Sequence, residues 1–241
     1  MWEAFDIKST EDLDAHLNNF RVQFAFHSAK IENSGVTFKV TREIFEDDVV
    51  QKFTGSPDTL TEISNQRKCH SFLLSKTIAK EPITIELIKA AHEITTMGTY
   101  DDRRYFVLNE RPGEFKKNDF VVGRHDVGSL PEMVETDMLE LLQEISEVQN
   151  LSALEKVLKA ATYFHAKFEY IHPFADGNGR VGRTMMNYFL MLLNHPPLIV
   201  FEDEKFKYYE ALEQYAENED VESLYVFFLH CLERTWYKIL E

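Results

Sequence analysis

"IHPFADGNGRVGR", Ile171 to Arg183, sets a histidine against a proline and follows it with an aspartate, an asparagine, three glycines and two arginines. In a chain with a formal net charge of −15, two cations gathered among glycines read either as a turn that is basic by accident or as a built anion site. The flanks favour a helix start. Ser152 and Glu155 have capping-box spacing for a helix ending near Tyr170, and Val181, Met185, Tyr188 and Leu192 form the apolar stripe of the next helix. The glycines then sit where unpaired backbone N–H groups and the positive end of the helix dipole converge. Gly177 and Gly179 let an anion approach the backbone without Cβ obstruction, and Arg180 and Arg183 can grip further phosphate oxygens. Asp176 suits a divalent cation bridging phosphate oxygens, and Asn178 supplies a neutral donor. Taken singly, each residue has an ordinary explanation: a structural His-Pro, a helix-capping Asp, surface arginines paired with carboxylates. Twelve residues that combine all of them exceed what a turn needs.

Outward from this stretch the dominant period is helical. Leu13, Leu17, Phe20, Phe24 and Ile31 recur at three- and four-residue steps, with Ser9 and Asp12 as a capping pair and Gly35 as a stop, which predicts one long N-terminal helix. Further helical patterns run over 41–53, 59–79, 84–95, 132–148, 152–170, 178–194, 205–217 and 221–240. The segment "YFVLNERPGEFKKNDFVVG", Tyr105 to Gly123, departs from that period. Its β-favouring ends around a Pro/Gly-containing middle read as a short hairpin or as a connecting loop, and an exposed hairpin edge could hold an extended peptide by strand addition.

Composition narrows the function classes. The chain has 241 residues with 44% hydrophobic content, enough for one large domain or a core with an N-terminal extension. The acidic balance and a pI near 5.1 exclude broad nucleic-acid or anionic-membrane binding, which needs clustered Lys and Arg. Cys69 and Cys231 have no metal or disulfide spacing, and "MWEAFDIKSTED" has neither the basic nor the apolar part of a signal peptide, so a cytoplasmic protein with free thiols is expected. No apolar run approaches the ~18 residues of a membrane span. The letters "GNGRVG" also spell G-x-G-x-x-G, but a dinucleotide fold needs a strand before the glycines and 152–170 has helical period.

"HPFADGNGRVGR" fills every fixed position of a His-Pro-Phe-x-Asp-Gly-Asn-Gly-Arg-x-x-Arg signature and so resembles the Fic family, a likeness that extends over roughly Thr84 to Leu240. The resemblance implies an all-α, mainly helical Fic fold with a short β-hairpin flap over the active site. It implies a protein adenylyltransferase that moves AMP from ATP to a Ser, Thr or Tyr hydroxyl of a target protein, with Mg²⁺ and with release of pyrophosphate. The family's phosphotransferase branch carries Lys where Gly179 stands and lacks the second arginine, here Arg183. By position, His172 becomes the general base, Asp176 the Mg²⁺ ligand, and Gly177, Asn178 and Gly179 the anion cradle. Arg180 and Arg183, with Val181 and Gly182 between them, complete the nucleotide site, while Phe174 packs beneath the loop. Phe120, Val121, Val122 and Gly123 fall in the flap, under which nucleotide and target would lie. Lys116 stands where relatives often have Arg. Tyr208 and Tyr209 of "KYY" correspond to adenine-side tyrosines, or else pack on a helix face, and Asn218 lies near a later family asparagine, one residue out of step.

A second motif, "SAKIEN", resembles the family's inhibitory signature, Ser/Thr-x-x-x-Glu-Gly/Asn, through Ser28, Glu32 and Asn33. Alone, a Ser and Glu four apart on an acidic helix would be a solvated face. Beside the complete first motif it implies that Glu32 pairs with Arg183 and keeps the ATP γ-phosphate from its productive place. The expected organisation is an N-terminal helical region, 1–60, carrying the inhibitory helix, a connecting helix, 61–83, packed with the core, and a Fic core over 84–240. Two alternatives stand beside self-inhibited transfer: removal of AMP from a modified target with Glu32 positioning water, and a non-catalytic nucleotide- or peptide-binding sensor, which would need neither His172 nor Asp176. The resemblance also allows a homo-oligomer.

Overall fold

A computed structural model describes residues 7–47, 50, 53–122, 125–126, 128–146, 148 and 152–240. Helix α1 (Thr10–His16) opens on the expected capping box: Ser9 Oγ accepts from the Asp12 N–H and Asp12 Oδ2 from the Ser9 N–H, both at 3.1 Å. The expected single long helix is broken. Leu17, fully buried, leaves helical geometry at φ −93°, ψ 5°, and α2 (Asn18–Glu32) starts at the next residue. Leu13, Leu17 and Phe20 reach one apolar cluster with Ile199 and Phe201 across the bend. α2 ends not at Gly35 but at Asn33, whose Oδ1 accepts from the Gly35 N–H at 2.9 Å and whose Nδ2 donates to Glu62 at 2.9 Å.

Helix α3 (Phe38–Glu46), capped by Thr37, begins earlier than the expected 41–53, and α4 (Pro57–Ile78) and α5 (Ile85–Thr96) follow. The Tyr105–Leu108 end of the hairpin candidate is helical instead: Arg103–Val107 form a single π-turn closed by the Leu108 N–H on the Arg103 carbonyl at 2.9 Å. The strands among the described residues are β1 (Val121–Val122) and β2 (His125–Asp126), antiparallel, with Val121 opposite Asp126. Pairing thus sits further along the chain than the sequence pattern suggests, and Gly123 lies outside the described residues. Helix α6 (Val134–Ser146) leads to α7 (Leu154–Ile171). Ser152 and Glu155 do not cap α7, because Ala153 occupies the cap position and makes no side-chain bond.

The centre of the molecule is the pair α7 and α8 (Asn178–Leu192), flanked by α5 on one side and by α9 (Lys205–Asn218) and α10 (Glu222–Leu240) on another, while α2 crosses α4 and α8. Phe164, Phe168, Phe174, Tyr188 and Phe228 are fully buried between them, each contributing about 1.5–3 kcal/mol of apolar transfer. The turn from α7 into α8 is therefore fixed from below by the core, and only its upper side remains open.

Candidate active site

That turn begins at His172. Its backbone is left-handed, φ 51°, ψ 61°, closing α7 through its N–H to the Phe168 carbonyl at 3.0 Å, a conformation that non-glycine residues adopt at a cost. Phe174 turns down into the core and stacks on His92 of α5 at 3.7 Å between ring centres. His92 is the support that the sequence did not reveal. Its Nδ1 accepts from the Gly113 N–H at 2.8 Å, which leaves Nε2 to donate to the Asp176 carbonyl at 2.9 Å. Burial above all pushes its pKa down to about 4, so the ring stays neutral in this role.

Asn178 closes the loop rather than pointing at a ligand. Its Nδ2 donates to the Phe174 carbonyl at 2.7 Å, and its Oδ1 accepts from the Phe174 N–H at 2.9 Å. The residue is buried, so its side chain is not the neutral phosphate donor expected from sequence; its place at the first turn of α8 remains. Gly177, the N-cap, is left-handed at φ 80°, and a Cβ there would stand 2.5 Å from the Thr96 methyl. Val181 is fully buried and its N–H is taken by the Gly177 carbonyl at 3.0 Å, while Gly182 packs against Phe168, His165 and Glu169 on the α7 side. Neither faces the opening.

The opening is a cavity of about 250 Å³ lined by Glu32, Arg104, Phe120, His172, Ala175, Asp176, Gly177, Asn178, Gly179 and Arg180. His172 has its pKa lowered to about 4, first by burial and then by the charge of Lys116, so its ring is neutral at pH 7. Asp176 Oδ1 accepts from the Gly177 N–H at 2.8 Å and faces Arg180 Nη2 at 3.8 Å. Arg180 is buried, 3.5 Å from Glu62 Oε1, with Nε and Nη1 lacking hydrogen-bond partners. Buried donors without acceptors are costly, and Arg180 lines the cavity with part of its hydrogen-bonding capacity unused.

Arg183 is 1% exposed and held by α2: Nη2 donates to Glu32 Oε1 at 2.8 Å and to the Ser28 carbonyl at 2.9 Å, and Nε donates to Ser28 Oγ at 3.1 Å. Its Nη1 is buried without a partner. The structure thus brings Arg183 onto Ser28 and Glu32, which lie about 150 residues earlier in the chain. Asn33 donates to Glu62, which in turn faces Arg180. Tyr208 lies in the core, its hydroxyl 2.7 Å from His165 Nε2, out of reach for stacking on a base, whereas Tyr209 is 41% exposed. Asn218 is the last residue of α9, and no contact joins it to the cavity. Missed by sequence were His92, Glu62, Arg104 and Glu110, all remote in sequence from the motif. Buried Glu110 accepts from the N–H groups of Lys117 and Asn118 at 3.0 and 3.1 Å and so anchors the loop ahead of β1.

Residues 82–190 match the sequence profile of the Fic/DOC family. The chain is 32% identical over 216 residues to a Protein adenylyltransferase Fic of Drosophila persimilis, covering 88% of this chain and 39% of that protein. It is 29% identical over 238 residues to the protein of the same name in Culex quinquefasciatus, covering 95% and 44%. It spans less than half the length of these curated relatives. In fold it is similar to a Fic domain containing signaling protein from Bacteroides thetaiotaomicron, at TM-score 0.80 and 21% identity over 97% of this chain and 90% of that one. It is similar also to Fic-1 from C. elegans, at TM-score 0.78 and 21% identity over 99% and 69%.

Proposed function

With a Fic domain at residues 82–190 the chain belongs to the Fic/DOC family, and on that premise we propose that it transfers AMP from ATP to a Ser, Thr or Tyr hydroxyl of a target protein, releasing pyrophosphate, under restraint by Glu32. The observation that carries this reading is one cavity at the N-terminus of α8 that presents His172, Asp176 and Arg180 together, with Glu32 at its rim.

ATP enters as an anion meeting the amides of the first α8 turn, Asn178 to Arg180, and the guanidinium of Arg180. Freed from Glu32, Arg183 would hold the outer phosphates and place the α-phosphorus for in-line attack. His172, neutral before substrate arrives, takes the hydroxyl proton as the target oxygen attacks. The polyphosphate beside it raises its proton affinity at that moment. Transition-state charge falls on Arg180 and the helix amides. Asp176 offers one carboxylate at the cavity, and no cluster of three or more acidic, His or Cys ligands occurs among the described residues. That donor set fits Mg²⁺, which binds through one or two carboxylates and the substrate's own phosphates. Held by Asp176, Mg²⁺ would neutralise charge on the α- and β-phosphates. Residues 1–60 serve as the regulatory layer, 61–83 as its link and 84–240 as the catalytic core, with Phe120 and the paired segments 121–122 and 125–126 as the flap that receives the target.

A second reading, hydrolytic removal of AMP from a modified protein, has one observation behind it: Glu32 lines the same cavity as His172 and could orient water there. The donor is tested by incubating a Glu32→Gly variant with α-labelled ATP, GTP, CTP or UTP and a cell extract. Protein-bound label from ATP is expected, and label only from another nucleotide would overturn the choice of donor.

A further inference from the structure

Resting on the transfer reading, we propose that Lys116 is a positioning residue for His172: its buried ammonium, seated at the C-terminal end of α7, steadies the histidine's left-handed turn and keeps the ring in its proton-accepting form. Lysine is seldom buried without a reason, yet Lys116 is 3% exposed. Its backbone N–H donates to the Pro173 carbonyl at 2.9 Å, directly after the histidine. Its side chain then folds back over the same turn. A Cβ built on Gly128 would stand 2.7 Å from the Ile171 carbonyl oxygen, 2.8 Å from Lys116 Nζ and 2.9 Å from the His172 Cβ. Three atoms around one point put the ammonium beside the last carbonyl of α7 and beside the histidine. A cation is favoured there by the negative end of the helix dipole, and the Ser129 N–H on the Ile171 carbonyl at 2.9 Å completes the brace.

The charged groups facing the ring are Lys116 from the loop ahead of β1, Asp176 from the site loop and Glu32 from α2, with Arg104 and Arg180 lining the same cavity. Burial does most to lower the ring's pKa and Lys116 adds to it, while a hydrogen bond to the Glu169 carbonyl and the charges of Asp176 and Glu32 act the other way. Burial lowers the pKa of Lys116, the charges of Asp119 and Glu110 act the other way to favour the ammonium, and Glu110 also accepts from the backbone of residues 117 and 118. A base must be unprotonated before it can take the hydroxyl proton, so a neighbouring cation that disfavours the imidazolium extends activity to lower pH.

Imidazole titration by nitrogen-15 NMR, without nucleotide or divalent cation and with His172 assigned through His172→Gln, reads this without relying on activity. Lys116→Met is expected to raise the His172 midpoint by about one pH unit, the effect of removing a like charge at this range, with His92 and His165 unmoved and Lys116→Arg restoring the wild-type midpoint. Should Lys116→Met fail to fold, Lys116→Gln removes the same charge with a polar side chain. An unmoved His172 midpoint in a folded, uncharged variant overturns the proposal. In a Glu32→Gly background the acid limb of kcat/KM for AMP incorporation should move upward with the midpoint while the nucleotide KM holds. A moved midpoint in a protein that never incorporates AMP would keep the Lys116–His172 coupling and discard the transfer reading; AMP incorporation with an unmoved midpoint would discard Lys116 alone.

Discussion

Gly177 and Gly179 stand two residues apart and are needed for different reasons. At Gly177 the backbone is left-handed and a methyl would meet Thr96, so Gly177→Ala combines strain with a clash and is expected to lose about 1–3 kcal/mol, seen as a Tm lower by several degrees in a melting curve. At Gly179 the obstacle to a methyl is Glu32 Oε1 at 2.5 Å and Arg183 Nη1 at 3.0 Å. That helix turn is pressed against the Glu32–Arg183 pair itself. Asp176 separates metal from fold: Asp176→Asn keeps an oxygen for the Gly177 N–H, so it should abolish Mg²⁺-dependent incorporation while leaving the melting temperature of the nucleotide-free protein almost unchanged. A sharp fall in Tm would instead mark Asp176 as a structural cap. His172→Ala should lower transfer ~10²–10⁴-fold with nucleotide binding retained in a titration calorimeter; near-normal labelling would remove it as the base. The motif that these residues form was legible because their spacing is local. The work of Asn178 was not, since a short polar side chain at a helix start reads equally as ligand donor or as loop clamp, and only the fold around Phe174 decides between them.

At the scale of elements, α5 reaches the site through His92, and that support titrates. In the folded protein the ring takes a proton only near pH 4, whereas in the unfolded chain it does so near the ordinary 6.5. Below 6.5 the unfolded state binds a proton that the fold refuses, so stability falls as pH drops from 6.5 to 4 and this contribution levels off beneath, about 3 kcal/mol in all. Denaturant midpoints across that range should slope downward toward acid, and His92→Gln, less stable at pH 7, should slope less. A slope unchanged in the variant would assign the effect to other buried histidines, His165 among them. Periodicity located the principal helices, because helical burial repeats within a few residues. It failed at Leu17, where the helix breaks within a continuous apolar period, and at Arg103–Val107, where β-favouring residues wind into a π-turn. His92, Glu62 and Glu110 had no local signal to find.

The described residues form a helical core with a second helical layer laid across the candidate anion site. Acidic throughout, the chain keeps Arg180 and Arg183 buried at one helix start, and α2 and α4 cover them with Glu32 and Glu62. The pairing of "SAKIEN" with the second arginine was readable only through family resemblance, and the 2.8 Å contact between Glu32 and Arg183 gives it a physical form. On the proposed function, that charge-assisted bond, about 1.5–3 kcal/mol, is displaced before a triphosphate uses the arginine. Incorporation of label from α-labelled ATP, compared side by side in wild type, Glu32→Gly and Glu32→Gly/Arg183→Ala, tests this most directly. Glu32→Gly should gain ~10-fold or more over wild type, and the added Arg183→Ala should cancel the gain, because the released arginine is the agent of activation. Equal rates for wild type and Glu32→Gly, or a gain that survives loss of Arg183, would contradict it.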